Sequence, residues 1–255
     1  MKILSLQPSV SLVLESLGRI DALVGCTRYC LEAVAGLRSR NLVVVRDSWS
    51  SETEEIAALQ PDLVIASVPY RQESLAAILK AGVPVLALAP HSLADIYGDI
   101  RLIGSVADAG PAAERVIGEM QRAISEVALR AAGCQEKPVV YCEEWGKPLI
   151  HSQPWVRELV EAAGGEFLGE PGRVTEAATI TAANPEVIAL AWCGAGDRVP
   201  VQRVIAMRGW EQLRAVREKR VVCIPDELLN TPAPTLVGGL RALAKVIHPE
   251  LFDPV

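Results

Sequence analysis

Four cysteines stand where thiol chemistry would be useful. Cys26, Cys142 and Cys193 each sit at the end of an expected strand, and Cys30 lies four residues beyond Cys26. Four thiolates can hold an iron–sulfur cluster or a soft, thiolate-bound metal. Reduced cysteine is also among the most buried residue types, and no CxxC pair is present, so packing stands beside ligation as a reading. Cys134, at the end of a long helical stretch, and Cys223, inside a strand run, read as packing residues.

A second set of residues suits a flat ligand. The chain has only two Phe, four Tyr and five Trp, yet Trp49, Trp145, Trp192, Tyr29 and Tyr70 all fall on loops that follow strands. Aromatic faces beside a few polar groups suit a large planar ligand such as a corrinoid, a haem-like ring or an aromatic chelate. The same loops carry Arg28, Arg71, Lys147 and Arg198, which would meet an anionic ligand or pair with Asp47, Glu143, Glu144 and Asp197. Glu143 and Glu144 are neighbours on an extended segment, so their side chains point to opposite faces and only one can meet a ligand. His91, after Pro90, offers an imidazole of the kind that takes an axial position on cobalt or iron. His151, near the Gln153-Pro154 helix start, is a further imidazole. Gly194-Ala195-Gly196 lacks both the GxGxxG and the GK[ST] patterns, and no GxSxG elbow or HExxH motif occurs. These motifs give no catalytic constellation, which leaves an enzyme built on Glu143 or Glu144 as the least supported reading.

The elements that must position these residues follow from periodicity. Expected strands are Lys2–Leu6, Ala22–Gly25, Leu42–Arg46, Leu63–Ser67, Val83–Leu88, Val139–Cys142, Val187–Ala191 and Arg220–Ile224, with helical spacing between most of them. That alternation predicts an α/β fold of βαβ units with mostly parallel sheets. Ligands of such sheets bind beyond the carboxyl ends of the strands, which is why the strand-end loops are singled out. The stretch 111–133 reads as one uninterrupted helix, with Val116, Ile117, Met120, Ile124, Val127 and Leu129 marking its apolar side. It divides the chain into an N-terminal lobe over 1–110, a connecting helix over 111–133 and a C-terminal lobe over 134–255. A weak repeat supports two lobes: Gln7-Pro8 and Gln153-Pro154 open similar helices, and Pro61-Asp62-Leu63 matches Pro185-Glu186-Val187.

Bulk properties exclude some classes. A net charge of −6 with no basic run argues against nucleic-acid binding, and no apolar run reaches the length of a transmembrane helix. The opening Met1–Leu6 is broken by Gln7-Pro8-Ser9 and lacks a leader's long apolar run, so the expectation is a cytoplasmic protein with reduced thiols.

Taken in order, Ala58–Ser67, Ala81–Leu88, Ser92–Gly104, Pro154–Gly165 and Thr235–Glu250 give the chain a family likeness. It resembles the periplasmic-binding-protein superfamily of the helical-backbone metal-receptor type, and within it the cobalamin-binding proteins of ABC importers. The resemblance implies two Rossmann-like lobes joined by one long helix, a corrinoid or similar tetrapyrrole held without catalysis in the cleft between them, and the four thiols bordering that cleft. It implies an extracytoplasmic location and an ABC permease partner for members that carry a leader, docked through acidic residues such as Glu73. The chain departs from the family where an Asp-Tyr-Pro-Pro type turn is replaced by Cys26-Thr27-Arg28-Tyr29-Cys30.

Overall fold

The computed structural model describes residues 1–47, 50 and 52–252. It separates into two compact units, Met1–Gly118 with Pro232–Pro234, and Glu119–Thr231 with Thr235–Val255. This is an α/β architecture, with one mainly parallel sheet in each unit.

The first sheet contains β1 (Ile3–Ser5), β2 (Leu23–Thr27), β3 (Val43–Val45), β4 (Leu63–Ser67) and β5 (Val85–Leu88). Their order is β3-β2-β1-β4-β5, and every pairing is parallel. The central strands β1 and β4 are almost wholly buried, as continuous apolar runs covered by helices on both faces should be. At the edge, Val43 and Val44 of β3 stay about half exposed. Two strand ends supply helix caps. Thr27 Oγ1 accepts from the Cys30 amide at the start of Arg28–Ala33, and Ser92 Oγ accepts from the Asp95 amide at the start of Leu93–Val106.

The second sheet contains β6 (Val139–Gly146), β7 (Leu149–His151), β8 (Glu166–Phe167), β9 (Val174–Thr175), β10 (Val187–Leu190) and β11 (Val221–Cys223). The order is β11-β10-β6-β7-β9, with β8 beside the first residues of β6. Strands β11, β10, β6 and β8 pair in parallel, whereas β6–β7 and β7–β9 are antiparallel. Sequence periodicity missed this antiparallel extension. Strand β6 runs four residues past the expected Cys142, through Glu143-Glu144-Trp145-Gly146, whose charges read as loop.

The helix expected over 111–133 spans Gly110–Ala131, about 33 Å at 1.5 Å per residue, and passes from the first unit into the second. Its buried stripe is Ala113, Val116, Ile117, Met120, Ala123, Val127 and Ala131, at helical spacing. Leu129, expected on the apolar side, lies off this stripe and is 77% exposed. The repeat is visible in the helices Pro8–Ser16 and Pro154–Ala162, each with Pro in its first turn. Both are followed by a glycine in the left-handed region, Gly18 and Gly164, where a side chain would be strained. Among the described residues, no helix is long and apolar enough to cross a membrane.

Candidate ligand-binding site

The carboxyl edge of the first sheet is built on hydroxyls. Ser5 Oγ, at the end of β1, donates to the Gln7 carbonyl at 2.9 Å and accepts from Ser11 Oγ at 2.9 Å. Cys30 Sγ lies 3.3 Å from Thr27 Oγ1 and 3.7 Å from Ser5 Oγ. Cys26 and Cys30 come together here, hydrogen-bonded to each other and fully buried. The Cys26 thiol is pushed up by that bond and by burial. Burial opposes ionisation of Cys30, but hydrogen bonds from Cys26, Ser11, Thr27 and Ser5 outweigh it and bring the Cys30 thiol down.

The loops above this cluster carry the expected polar and aromatic residues. Arg28 donates to Tyr29 Oη at 2.7 Å and lies 4.6 Å from its ring centroid, so cation and aromatic face act as one exposed unit. Asp47 Oδ1 accepts from the amide and hydroxyl of Ser50 at 3.0 and 2.9 Å. Trp49 lies outside the described residues. Tyr70 is half-buried and packs against the core of its unit, while Arg71 and His91 are exposed. The Asp95 carboxylate accepts from the His91 amide at 2.9 Å and fixes the backbone there. Asp99, on the same helix and not anticipated from sequence, is pushed up to about 6 by burial and then by Asp95.

In the second unit the two neighbouring glutamates separate at an irregularity. The β6–β7 register shifts between Glu143 and Trp145, which leaves Glu144 without a register partner on β7, while its carbonyl accepts from the Cys193 amide at 3.1 Å. Glu143 is completely buried. Its oxygens accept from Tyr141 Oη at 2.6 Å, Trp192 Nε1 at 2.7 Å, and both terminal nitrogens of Arg208 at 2.8 and 2.9 Å. Those four bonds use its four acceptor positions, which corrects the expectation that Glu143 meets a ligand. Trp192 is likewise committed: its N–H is spent on Glu143 and its ring packs on the core.

Glu144 is the carboxylate nearer the surface. Burial pushes it up to about 7, against the pull of Gln153, whose Nε2 donates to its oxygens at 2.8 and 2.7 Å. Trp145 is 45% exposed, and its N–H donates to the Lys147 carbonyl at 3.0 Å. His151 is buried against Tyr141, edge to face with centroids 5.2 Å apart, and burial pushes its imidazole down. It is a core residue.

Cys142 is fully buried in mid-strand, level with Ala189 of β10, and burial pushes its thiol up, where a metal ligand must be ionised. It therefore packs as an apolar side chain, whereas Cys193 is exposed on the loop after β10. That loop is held from below: Asp226 accepts from the Gly194 and Gly196 amides at 2.9 and 3.0 Å. Arg198 donates back to the Gly194 carbonyl at 3.2 Å. Arg208 and Asp226 gave no signal in the sequence, because each meets its partner 30 or more residues away. Gln153 was visible only as a helix start.

A profile of the periplasmic binding protein family matches residues 3–228. The chain belongs to this family. Among the similar family proteins, an ABC transporter substrate-binding lipoprotein of Bacillus subtilis (strain 168) is 26% identical over 268 residues, which span 98% of this chain and 81% of that protein. A cobalamin-binding protein of Halobacterium salinarum is 22% identical over 258 residues, spanning 97% of this chain and 69% of that protein. The fold matches a periplasmic haem-binding protein from Roseiflexus sp. RS-1 in its apo form, with a TM-score of 0.84 at 22% identity over 97% of this chain and 98% of that one. These findings overturn the cytoplasmic expectation, because the family is one of periplasmic binding proteins and the Bacillus relative is a lipoprotein. They lend no support to an iron–sulfur protein.

Proposed function

We propose that this periplasmic binding protein is the substrate-binding component of an ABC importer. It captures a planar metal chelate of corrinoid or haem type outside the cytoplasmic membrane and presents it to a permease, without catalysis. Two relatives point to this ligand class: the Halobacterium protein is named for cobalamin and the Roseiflexus structure for haem. The observation that carries the reading is the exposed indole of Trp145, a broad apolar face held by its N–H on the Lys147 carbonyl. In the first unit, Arg28 stacked on Tyr29 supplies a cation next to an aromatic ring, a pairing that suits a carboxylate or phosphate group of a planar ligand. His91 is the exposed imidazole at the same edge of the first sheet.

The test is titration of the purified protein with cobalamin, cobinamide and haemin, followed by tryptophan quenching, visible spectra and melting temperature. Ligand at a hundred times its Kd stabilises by about 2.7 kcal/mol, which is visible in a melt. Trp145→Ala removes a stacking face worth about 0.5–1.5 kcal/mol and should weaken binding by up to roughly tenfold. His91→Ala should change the haem spectrum if the imidazole ligates the iron. Absence of quenching and of stabilisation with all three compounds rejects the tetrapyrrole reading.

A further inference from the structure

At the opposite, amino-terminal edge of the second sheet, a cavity of about 560 Å³ opens beside Pro138 and Arg220, the residues that precede β6 and β11. Its wall carries Cys134, His248 and Glu250, whose donor atoms lie within 4.8 Å of one another. None of these residues takes part in the ligand reading above. His248 ends the helix Leu236–Ile247 and is 4% exposed. Arg220 donates to the carbonyls of Val246 and Ile247, which fixes that helix end.

The imidazole is oriented as a metal ligand would be. Its Nε2 lies 3.2 Å from the Gly164 carbonyl, which can only accept, so Nε2 carries the proton. Nδ1 faces Glu250 Oε1, 3.1 Å away, so either a proton or a metal ion lies between them. The Cys134 thiol beside the pair adds a third donor, which a metal ion can use and a proton cannot. A carbonyl fixing the far nitrogen is also the usual support of a metal-bound histidine.

We propose that Cys134 Sγ, His248 Nδ1 and a Glu250 oxygen bind one divalent cation of zinc type, with water in the fourth position. Tetrahedral zinc, with bonds of about 2.0–2.3 Å, sets neighbouring ligand atoms roughly 3.3–3.7 Å apart. The donor atoms, at most 4.8 Å apart, therefore need to close by up to about 1.5 Å. Glu250 is 63% exposed and Cys134 follows the end of the long helix, so both can move onto the fixed imidazole. The sulfur–nitrogen–oxygen donor set favours a borderline-soft ion over magnesium or calcium. Binding ionises the thiol, with one proton released to solvent for each zinc–sulfur bond formed. The ion would tie the end of the helix Gly110–Ala131 to the final helix Pro249–Phe252. Arg130 already joins those two segments, through the Leu251 carbonyl and the Phe252 ring 4.8 Å away.

The experiment uses tag-free, chelator-stripped full-length protein, titrated with zinc against a chromophoric competitor and separately with cobalt(II). One equivalent of zinc should bind, and cobalt should show a thiolate-to-metal charge-transfer band in the near ultraviolet. Cys134→Ser should abolish the band and weaken zinc by more than about 100-fold, beyond the 10- to 100-fold loss typical of a supporting residue. Glu250→Gln, a surface change that leaves folding intact, should weaken zinc at least tenfold, and Cys223→Ser should change nothing. Failure of the unaltered protein to bind zinc stoichiometrically, or a cobalt band that survives Cys134→Ser, overturns the site. Tetrapyrrole titration of the Cys134→Ser variant should match the parent, so the two readings fail separately.

Discussion

Replacing Arg208 with Met tests whether Glu143 belongs to the scaffold or to the ligand. Glu143 is fully buried, and Arg208 supplies two of its four hydrogen bonds and the cation of its salt bridge. The methionine stem keeps part of the packing that sets the guanidinium 4.7 Å from the Trp210 ring, so the main loss is electrostatic. What remains is a buried carboxylate served by two neutral donors, Tyr141 and Trp192. Breaking a buried pair in this way costs about 3–5 kcal/mol, a large fraction of a domain's stability. Urea unfolding followed by tryptophan fluorescence suits the question, because Trp145, Trp155, Trp192 and Trp210 all lie in the second unit. Glu143→Gln combined with Arg208→Met should cost less than the two single changes added together, since a neutral amide does not need the fork. A cost below about 1 kcal/mol for Arg208→Met, or strict additivity in the double variant, would refute the structural role and return Glu143 to the ligand candidates.

Glu144 predicts a pH effect. Its carboxyl rises from 4.5 to about 7 in the folded protein, so the folded state holds its proton more tightly than the unfolded chain does. The resulting stability is fully present below about pH 4.5 and is lost as pH rises through 7, by about 3 kcal/mol in all. Glu144→Gln should remove that slope in urea midpoints taken between pH 5 and 8, and an unchanged slope would assign it elsewhere. A Cβ added at Gly146 would sit 2.4–2.9 Å from atoms of the Trp192 ring. Gly146→Ala should therefore tilt the ring, shift the tryptophan emission and cost about 1–3 kcal/mol, whereas an unshifted spectrum at full stability would show that the ring is not confined there.

Much of the fold was legible because it rests on local patterns. Strand β4 runs over Leu63–Ser67 as its apolar run predicts, and the long helix ends within two residues of its Gly133 signal. The β6–β7 hairpin was hidden because Glu143 and Glu144 look like solvated charge. Only Arg208, 65 residues away, makes a buried carboxylate at that position tolerable. On the loops named by the strand-end rule, Arg28, Tyr29, Arg71, His91, Trp145 and Cys193 are at least partly open. The rule could not tell free groups from committed ones. Trp192 and Glu143 satisfy each other, and Cys142 is buried in mid-strand, four residues before the end of β6. Such commitments depend on partners that no window of sequence contains.

The carboxylate of Asp226 beneath the Gly194–Gly196 loop has a kinetic consequence. With two of its amides already held, the loop is ordered during folding rather than at the moment of capture. A molecule arriving at this edge then has little ordering to wait for, and its association can approach the orientational limit of a preformed surface. Affinity differences among related ligands should accordingly appear in how long each stays. Under the proposed importer role, a permease would then discriminate among them by residence time.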